Sequence, residues 1–137
     1  MKATARRQRR DGFVHTVGIG GHQLTVDEPT DQGGDDQGPS PQELLAASLA
    51  GCTAITIEMY AKRKGWDLPE VEVEAEYEPA DRGVPTRFTL TIRLPPGLSD
   101  EQIERLSVIA AKCPVHRTLD GDAIFEERIE TTPSPPD

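Results

Sequence analysis

Two residues in this chain carry thiols: Cys52, in "LAASLAGCTAIT", and Cys113, in "AKCPVHRTL". A cysteine can pack inertly in a core, ligate a metal, or react as a thiolate. A structural disulfide is the rarer use in a reducing compartment. Metal binding has little support here. Cys52, Cys113 and His116 supply at most three ligands, and no CxxC or HxxxH spacing accompanies them. Reactivity requires a stabilised thiolate, and the two positions differ in that respect. Cys113 precedes Pro114, and the residue before a proline avoids the helical region, so a helix is expected to break here. If Pro114 opens a new turn, Cys113 stands at its start, where the dipole favours the thiolate. Cys52 sits in the middle of an apolar helical stretch and needs a neighbouring cation. On these grounds Cys113 is the better thiolate, and inert packing of both sulfurs stays open beside redox chemistry. His15 and His22 fall within expected strands and read as structural.

The elements that must position these sulfurs are well punctuated. Residues 2–27 read as a three-stranded meander. Asp11-Gly12 in "ARRQRRDGFVHTV" and Gly20-Gly21 in "VGIGGHQLTV" are both two-residue hairpin signals. Arg10 is thereby expected at a hairpin tip. Residues 28–39, glycine-rich and acidic, read as a loop. A long helix follows. Ser40 is its N-cap, Pro41 suits the first position, Glu43 completes a capping box, and Gly65 ends it after Lys62, Arg63 and Lys64. Between these ends almost no polar face remains, so the helix is expected to be covered by its own sheet on one side and by something else on the other.

"PEVEVEAEYEP" and "TRFTLTIRLPP" alternate apolar and polar residues as half-solvated strands. A second helix starts at Ser99, with a capping box through Gln102, and carries Ile103, Leu106, Ile109 and Ala110 towards Cys113. A last strand is expected in "DAIFEERIET", before a proline-rich tail, residues 132–137, that should be disordered. The order is βββ-α-ββ-α-β, an α+β fold in one domain spanning residues 1–131.

Composition narrows the partners. The chain has 137 residues and a net charge of −9, which disfavours nucleic acid as a main partner. The four arginines at positions 6, 7, 9 and 10 read as a solvated strand edge. No apolar run looks long enough for a membrane span, and the first residues lack the apolar segment of a signal peptide. A cytoplasmic location is expected. With 35% hydrophobic and 4% aromatic residues, the core is thin for a stable monomer, which points to a dimer through the apolar helix.

"GPSPQELLAASLAGCT", followed some sixty residues later by "CPVHRTL", resembles the OsmC/Ohr superfamily (osmotically induced protein C and organic hydroperoxide resistance protein). The likeness covers almost the whole chain, including "RRDG" at the first hairpin and the glycine-rich loop. It implies an intertwined homodimer, with antiparallel sheets wrapped around two central helices. It also implies a thiol peroxidase that reduces organic hydroperoxides without metal or organic cofactor and draws electrons from a dithiol, a lipoylated protein in some branches.

By that resemblance Cys52 attacks the peroxide, reversing the choice made from helix dipoles, and Cys113 resolves the sulfenic acid as a disulfide. Arg10 holds the Cys52 thiolate and binds the peroxide oxygen, with Arg9 as the fallback. Only one of these two can point inward from a strand.

The chain departs from the hydroperoxide-resistance branch at the acidic partner of that arginine. The matching position is Gln42, with Glu43 one place later. This favours the broader OsmC-like branch and leaves Glu43 divided between catalysis and its capping box. Glu43 and Cys52 are nine residues apart, about 13.5 Å along a straight helix and on opposite faces. Glu43 can therefore act only through Arg10 or on the Cys52 of a partner chain, in a site built from both subunits. The alternative function is a non-catalytic member of the same fold that binds a ligand or senses oxidants. A third reading is an inert scaffold.

Overall fold

The structure is a computed structural model that describes residues 1–131. The tail 132–137 expected to be disordered lies outside the described residues. In chain order the elements are β1 (Ala3–Arg7), β2 (His15–Ile19), β3 (His22–Val26), a 3-10 turn (Thr30–Gln32), α1 (Pro41–Lys64), β4 (Glu72–Glu78), β5 (Arg87–Arg93), α2 (Asp100–Ala110) and α3 (Pro114–Leu119). β1, β2 and β3 form one antiparallel sheet, and β4 pairs with β5 in a second. The fold is α+β, as expected.

The long helix has the ends its sequence specifies. Ser40 Oγ accepts from the Glu43 N–H at 3.2 Å, and Glu43 Oε2 accepts from the Ser40 N–H at 2.7 Å. Gly65 closes the helix at φ 69°, a left-handed conformation that costs glycine nothing. One face of α1 packs on β4, α2 and α3. Ile57 and Tyr60 meet Leu106, Ile109 and Ala110 in the core, with Trp66, Ile92 and Leu94 around them. β4 and β5 alternate strictly, half-burying Val73, Ala75, Tyr77, Phe88, Leu90 and Ile92 while their charged residues face outward.

The β1–β3 sheet, by contrast, makes at most marginal contact with the helices, and every residue of β1 is exposed. The loop between this sheet and α1 is tied down by Asp27, whose side chain is 1% exposed. Its carboxylate accepts from the backbone N–H groups of Glu28 at 2.8 Å, and of Asp35 and Gln37 at 3.1 Å. Burial pushes the Asp27 carboxyl up, but these hydrogen bonds and nearby Arg9 outweigh it and hold the group below the usual carboxylate range.

Several expectations are corrected. The second hairpin turns on Gly20-Gly21, with Ile19 opposite His22. The first is wider than a two-residue turn. Arg7 faces His15, the Gln8 N–H reaches Val14 O at 3.0 Å, and residues 9–13 form the loop. The Arg7 guanidinium fills that loop, donating to the carbonyls of Arg10 and Gly12. Arg9 and Arg10 thus sit in a loop, and strand alternation does not decide which of them points inward.

Residues 122–131 are not a strand either, because no edge of the chain's own sheets pairs with them. Ile124, Phe125 and Ile129 stand 92%, 84% and 95% exposed. The second half of the chain gains α3 and loses the last strand. Finally, α1 is long and apolar enough to cross a membrane by length and composition, with a mean hydropathy of 1.5 over its best window. The expectation that no such run exists does not hold. It packs on β4, α2 and α3 through one face, with 28% of that window buried in the single chain.

The far face of α1 is uncovered in the single chain. Ala47, Gly51, Ile55 and Met59 recur every four residues and are all exposed, with Ile55 at 56% and Met59 at 67%. A fourfold spacing places them on one stripe.

The α1–α2 core carries this arrangement. Leu106→Ala, at a side chain 1% exposed, should lower unfolding free energy by about 2–5 kcal/mol in chemical denaturation.

Candidate active site

Pro114 ends the run of α2 and opens α3, and Cys113 becomes the N-cap residue of that short helix, as its sequence implied. Its φ of −53° and ψ of 133° are non-helical, the conformation a residue before proline prefers. α3 packs against α1. This brings the two thiols close enough to influence each other's ionisation. Cys113 is fully buried and Cys52 partly exposed, and both are reduced.

The sulfurs have different company. Cys113 Sγ accepts from the His116 N–H at 3.4 Å and is also within reach of the Val115 N–H and the Thr53 hydroxyl. Thr53 is 0% exposed, and its hydroxyl has no hydrogen-bond partner among the described residues. Cys52 is met by the Thr56 hydroxyl, one turn along α1, and by the same Val115 N–H.

Burial pushes the Cys52 thiol up, and its neighbour Cys113 adds to that rise. Burial pushes Cys113 up as well, but its contacts with Cys52 and with the N–H groups of His116 and Val115 outweigh it and bring the thiol below its ordinary value. Within the single chain, Cys113 is the better thiolate.

The other expected site residues stand elsewhere. Arg10 is exposed in the 9–13 loop, where its carbonyl accepts from Arg7. Arg9 pairs with Asp35 at 3.5 Å. No arginine is among the strongest influences on either sulfur. Glu43 is engaged in the capping box. Gln42 lines a cleft at the start of α1 with Phe13, His15 and Glu28, so the first hairpin and the head of α1 do adjoin.

Sequence reasoning missed Thr53, Thr56 and Val115. Val115 and the threonines carry no motif of their own. The signal for the threonines was their spacing from Cys52, at one and four residues along the same helix.

Beside the thiols, His116 shares a cleft of about 320 Å³ with Leu49, Phe88, Leu90 and Leu119. Leu49 precedes Cys52 by one helical turn. His116 Nδ1 is buried without a hydrogen-bond partner among the described residues. A larger cleft, about 670 Å³, lies at the other end of α1 around Tyr60, Trp66 and Arg105 and includes neither thiol.

A fold of this kind is a shared one. Residues 33–127 match the OsmC-like protein family, and the chain belongs to that family. It is 27% identical over 111 residues to an uncharacterized protein of Haloferax volcanii, covering 80% of each. Among solved structures it resembles an OsmC-like protein from Mycoplasma pneumoniae (TM-score 0.68, 21% identity, 88% of this chain and 86% of that one). It also resembles an organic hydroperoxide resistance protein, OsmC, from Legionella pneumophila (TM-score 0.66, 24% identity, 88% of each chain). A third likeness is to the organic hydroperoxide resistance protein OhrB of Bacillus subtilis (TM-score 0.61, 22% identity, 88% and 90%). At these identities the likeness establishes the fold.

The sulfur geometry has a direct test. Mild oxidation with diamide should link Cys52 to Cys113 within one chain, read by peptide mass under non-reducing conditions. Cross-links found only between chains would contradict the arrangement.

Proposed function

We propose that this protein is a thiol-dependent peroxidase that reduces organic hydroperoxides to alcohols. The observation that carries the reading is the meeting of a partly exposed thiol, Cys52, with a buried one, Cys113, in a protein of this family. Cys52 attacks the distal peroxide oxygen, the O–O bond breaks, and the alcohol leaves with a cysteine sulfenic acid behind. Cys113 then attacks the sulfenic sulfur, forms the disulfide and releases water. An external dithiol, such as a lipoylated protein, reduces the disulfide. The apolar walls contributed by Leu49, Phe88, Leu90 and Leu119 favour a hydrophobic peroxide over hydrogen peroxide. The reaction uses the chain's own sulfurs, with no metal or organic cofactor, and the setting is the cytoplasm.

The working unit in this reading is an intertwined homodimer. Its support is threefold: the uncovered stripe of α1, a β1–β3 sheet that scarcely touches its own helices, and the exposed apolar residues of the 122–131 segment. A second chain supplies a cover for the first and a sheet edge for the last. In that assembly Arg10 of one chain stands beside Cys52 of the other. There it supports the thiolate and binds the peroxide oxygen. Glu43, held in its cap, acts at most as a brace for that loop.

The capped Glu43 and the neutral Gln42 also favour one second reading, a sensor of the same fold that is oxidised once and does not turn over.

Two measurements decide these points. Reduced protein given one equivalent of cumene hydroperoxide should lose both thiols rapidly, and should turn over repeatedly with a dithiol such as dihydrolipoamide. A Cys52→Ser variant should lose none of its remaining thiol. A single oxidation without turnover would indicate the sensor, and untouched thiols the inert scaffold. For the shared site, a mixed dimer of Cys52→Ser and Arg10→Ala chains should retain one intact site, about half the wild-type activity, since the other site collects both defects. A dead mixed dimer would refute a site shared between chains.

A further inference from the structure

The β1–β3 sheet scarcely touches the helices, so the arginine loop 9–13 needs another hold on the head of α1. Two holds meet at that loop, and they do different work. Arg7 fills it from inside, donating to the carbonyls of Arg10 and Gly12. That shapes the loop but travels with its own sheet. The second hold comes from the 28–39 loop and is centred on Asp27.

Both oxygens of the buried Asp27 carboxylate are used. Oδ1 accepts from the Glu28 N–H at 2.8 Å, and Oδ2 from the N–H groups of Asp35 and Gln37 at 3.1 Å. The Asp27 N–H in turn donates to Pro39 O at 3.3 Å, one residue before the Ser40 cap of α1. The loop can close this tightly only through glycine at two places. A Cβ on Gly34 would collide with Glu28 O, and one on Gly38 with Thr25 O.

Residue 35 is where this loop meets the arginine loop. Asp35 Oδ2 pairs with the Arg9 guanidinium at 3.5 Å and lies 3.2 Å from where a Cβ on Gly12 would stand. Phe13 closes on Gly33 in the same way, at 3.6 Å. An exposed ion pair alone fixes little. Here the Asp35 backbone is already ordered by a buried carboxylate, so the pair has less freedom to lose. With Arg9 committed to Asp35, Arg10 is the arginine of this loop without an ion-pair partner among the described residues.

We infer that Asp27 is the positioning residue of the candidate site: through Asp35 and Arg9 it fixes the 9–13 loop against the head of α1, and so sets where Arg10 meets a thiolate. This rests on the peroxidase reading and gives Arg9 a task separate from that of Arg10. The position calls for a carboxylate. Asparagine has the same shape, but its NH2 would face an N–H donor on one side or the other.

The full-length Asp27→Asn variant tests this. Positioning predicts that oxidation of Cys52 by cumene hydroperoxide slows by about tenfold or more per folded chain near neutral pH. The pH midpoint of that step should rise, with the rate recovering in alkaline solution, because the thiolate has lost its cation. A double variant, Asp27→Asn with Arg10→Ala, should be no slower than Arg10→Ala alone, since Asp27 acts only through that arginine. A purely structural Asp27 would lower Tm, leave the midpoint of the folded chain at its wild-type value, and add its loss to that of Arg10→Ala. That result overturns the inference. Asp35→Asn, at a side chain 56% exposed, keeps the backbone N–H bonded to Asp27 and should fold whatever happens to Asp27→Asn. It should move the midpoint the same way by a smaller amount, and an unchanged midpoint there also overturns the inference.

Trypsin supplies an arm that needs no turnover. A fixed loop resists cleavage after Arg9 and Arg10, and both variants should speed that cut relative to cleavage elsewhere in the chain. Equal cleavage in wild type and variants overturns the anchoring. Wild-type protein inert to peroxide, with faster loop cleavage in both variants, would sink the peroxidase reading and leave the anchoring by Asp27 standing.

Discussion

Everything in the site depends on one contact, that between a sulfur halfway along α1 and a sulfur on the N-cap residue of α3. Pro114 makes it. A proline there cannot continue α2, and it forces Cys113 out of the helical region, so the chain turns and α3 packs back on α1. Had α2 run on, Cys113 would have pointed along its own helix surface with its backbone N–H groups spent inside the helix. The break instead frees the N–H groups of Val115 and His116 to face sulfur. A local backbone rule thus becomes a tertiary contact and then an electrostatic one.

The parts that local chemistry writes were legible in the sequence. Ser40, Glu43 and Gly65 delimit α1, and Ser99 with Gln102 starts α2, because capping is decided within one turn of chain. The break at Cys113 follows from Pro114 alone. Misreadings occurred where a distant group decides. The Asp11-Gly12 signal is genuine, with Gly12 at φ 71°, but the Arg7 guanidinium and the Arg9–Asp35 pair spread the turn into a loop. "DAIFEERIET" alternates as a strand should, yet a strand exists only against a neighbour and its own chain offers none. Thr53 could not be recognised from sequence because a threonine on an apolar helix shows nothing until the groups that bury it are in place.

The uneven covering of α1 is a second constraint. One side is filled by Leu106, Ile109 and the β4–β5 sheet, and the other is a stripe of small and aliphatic residues open to water. Gly51 on that stripe has free space where a Cβ would stand, so a neighbouring helix can come close there. The stability of a chain with such a face depends on what covers it, and thus on its own concentration if the cover is a second copy.

The unequal burial of the two sulfurs sets a direction for thiol exchange. Cys113 is sealed while Cys52 keeps an opening to solvent. In a disulfide between them, an incoming thiolate meets the Cys52 sulfur and expels Cys113. Departure is easiest for the thiol with the lower pKa, and the donors gathered around Cys113 make it that thiol. Any mixed disulfide therefore forms on the outer sulfur, and the inner one is released unmodified. An incoming thiol thus has a single entrance, and the second sulfur stays out of its reach.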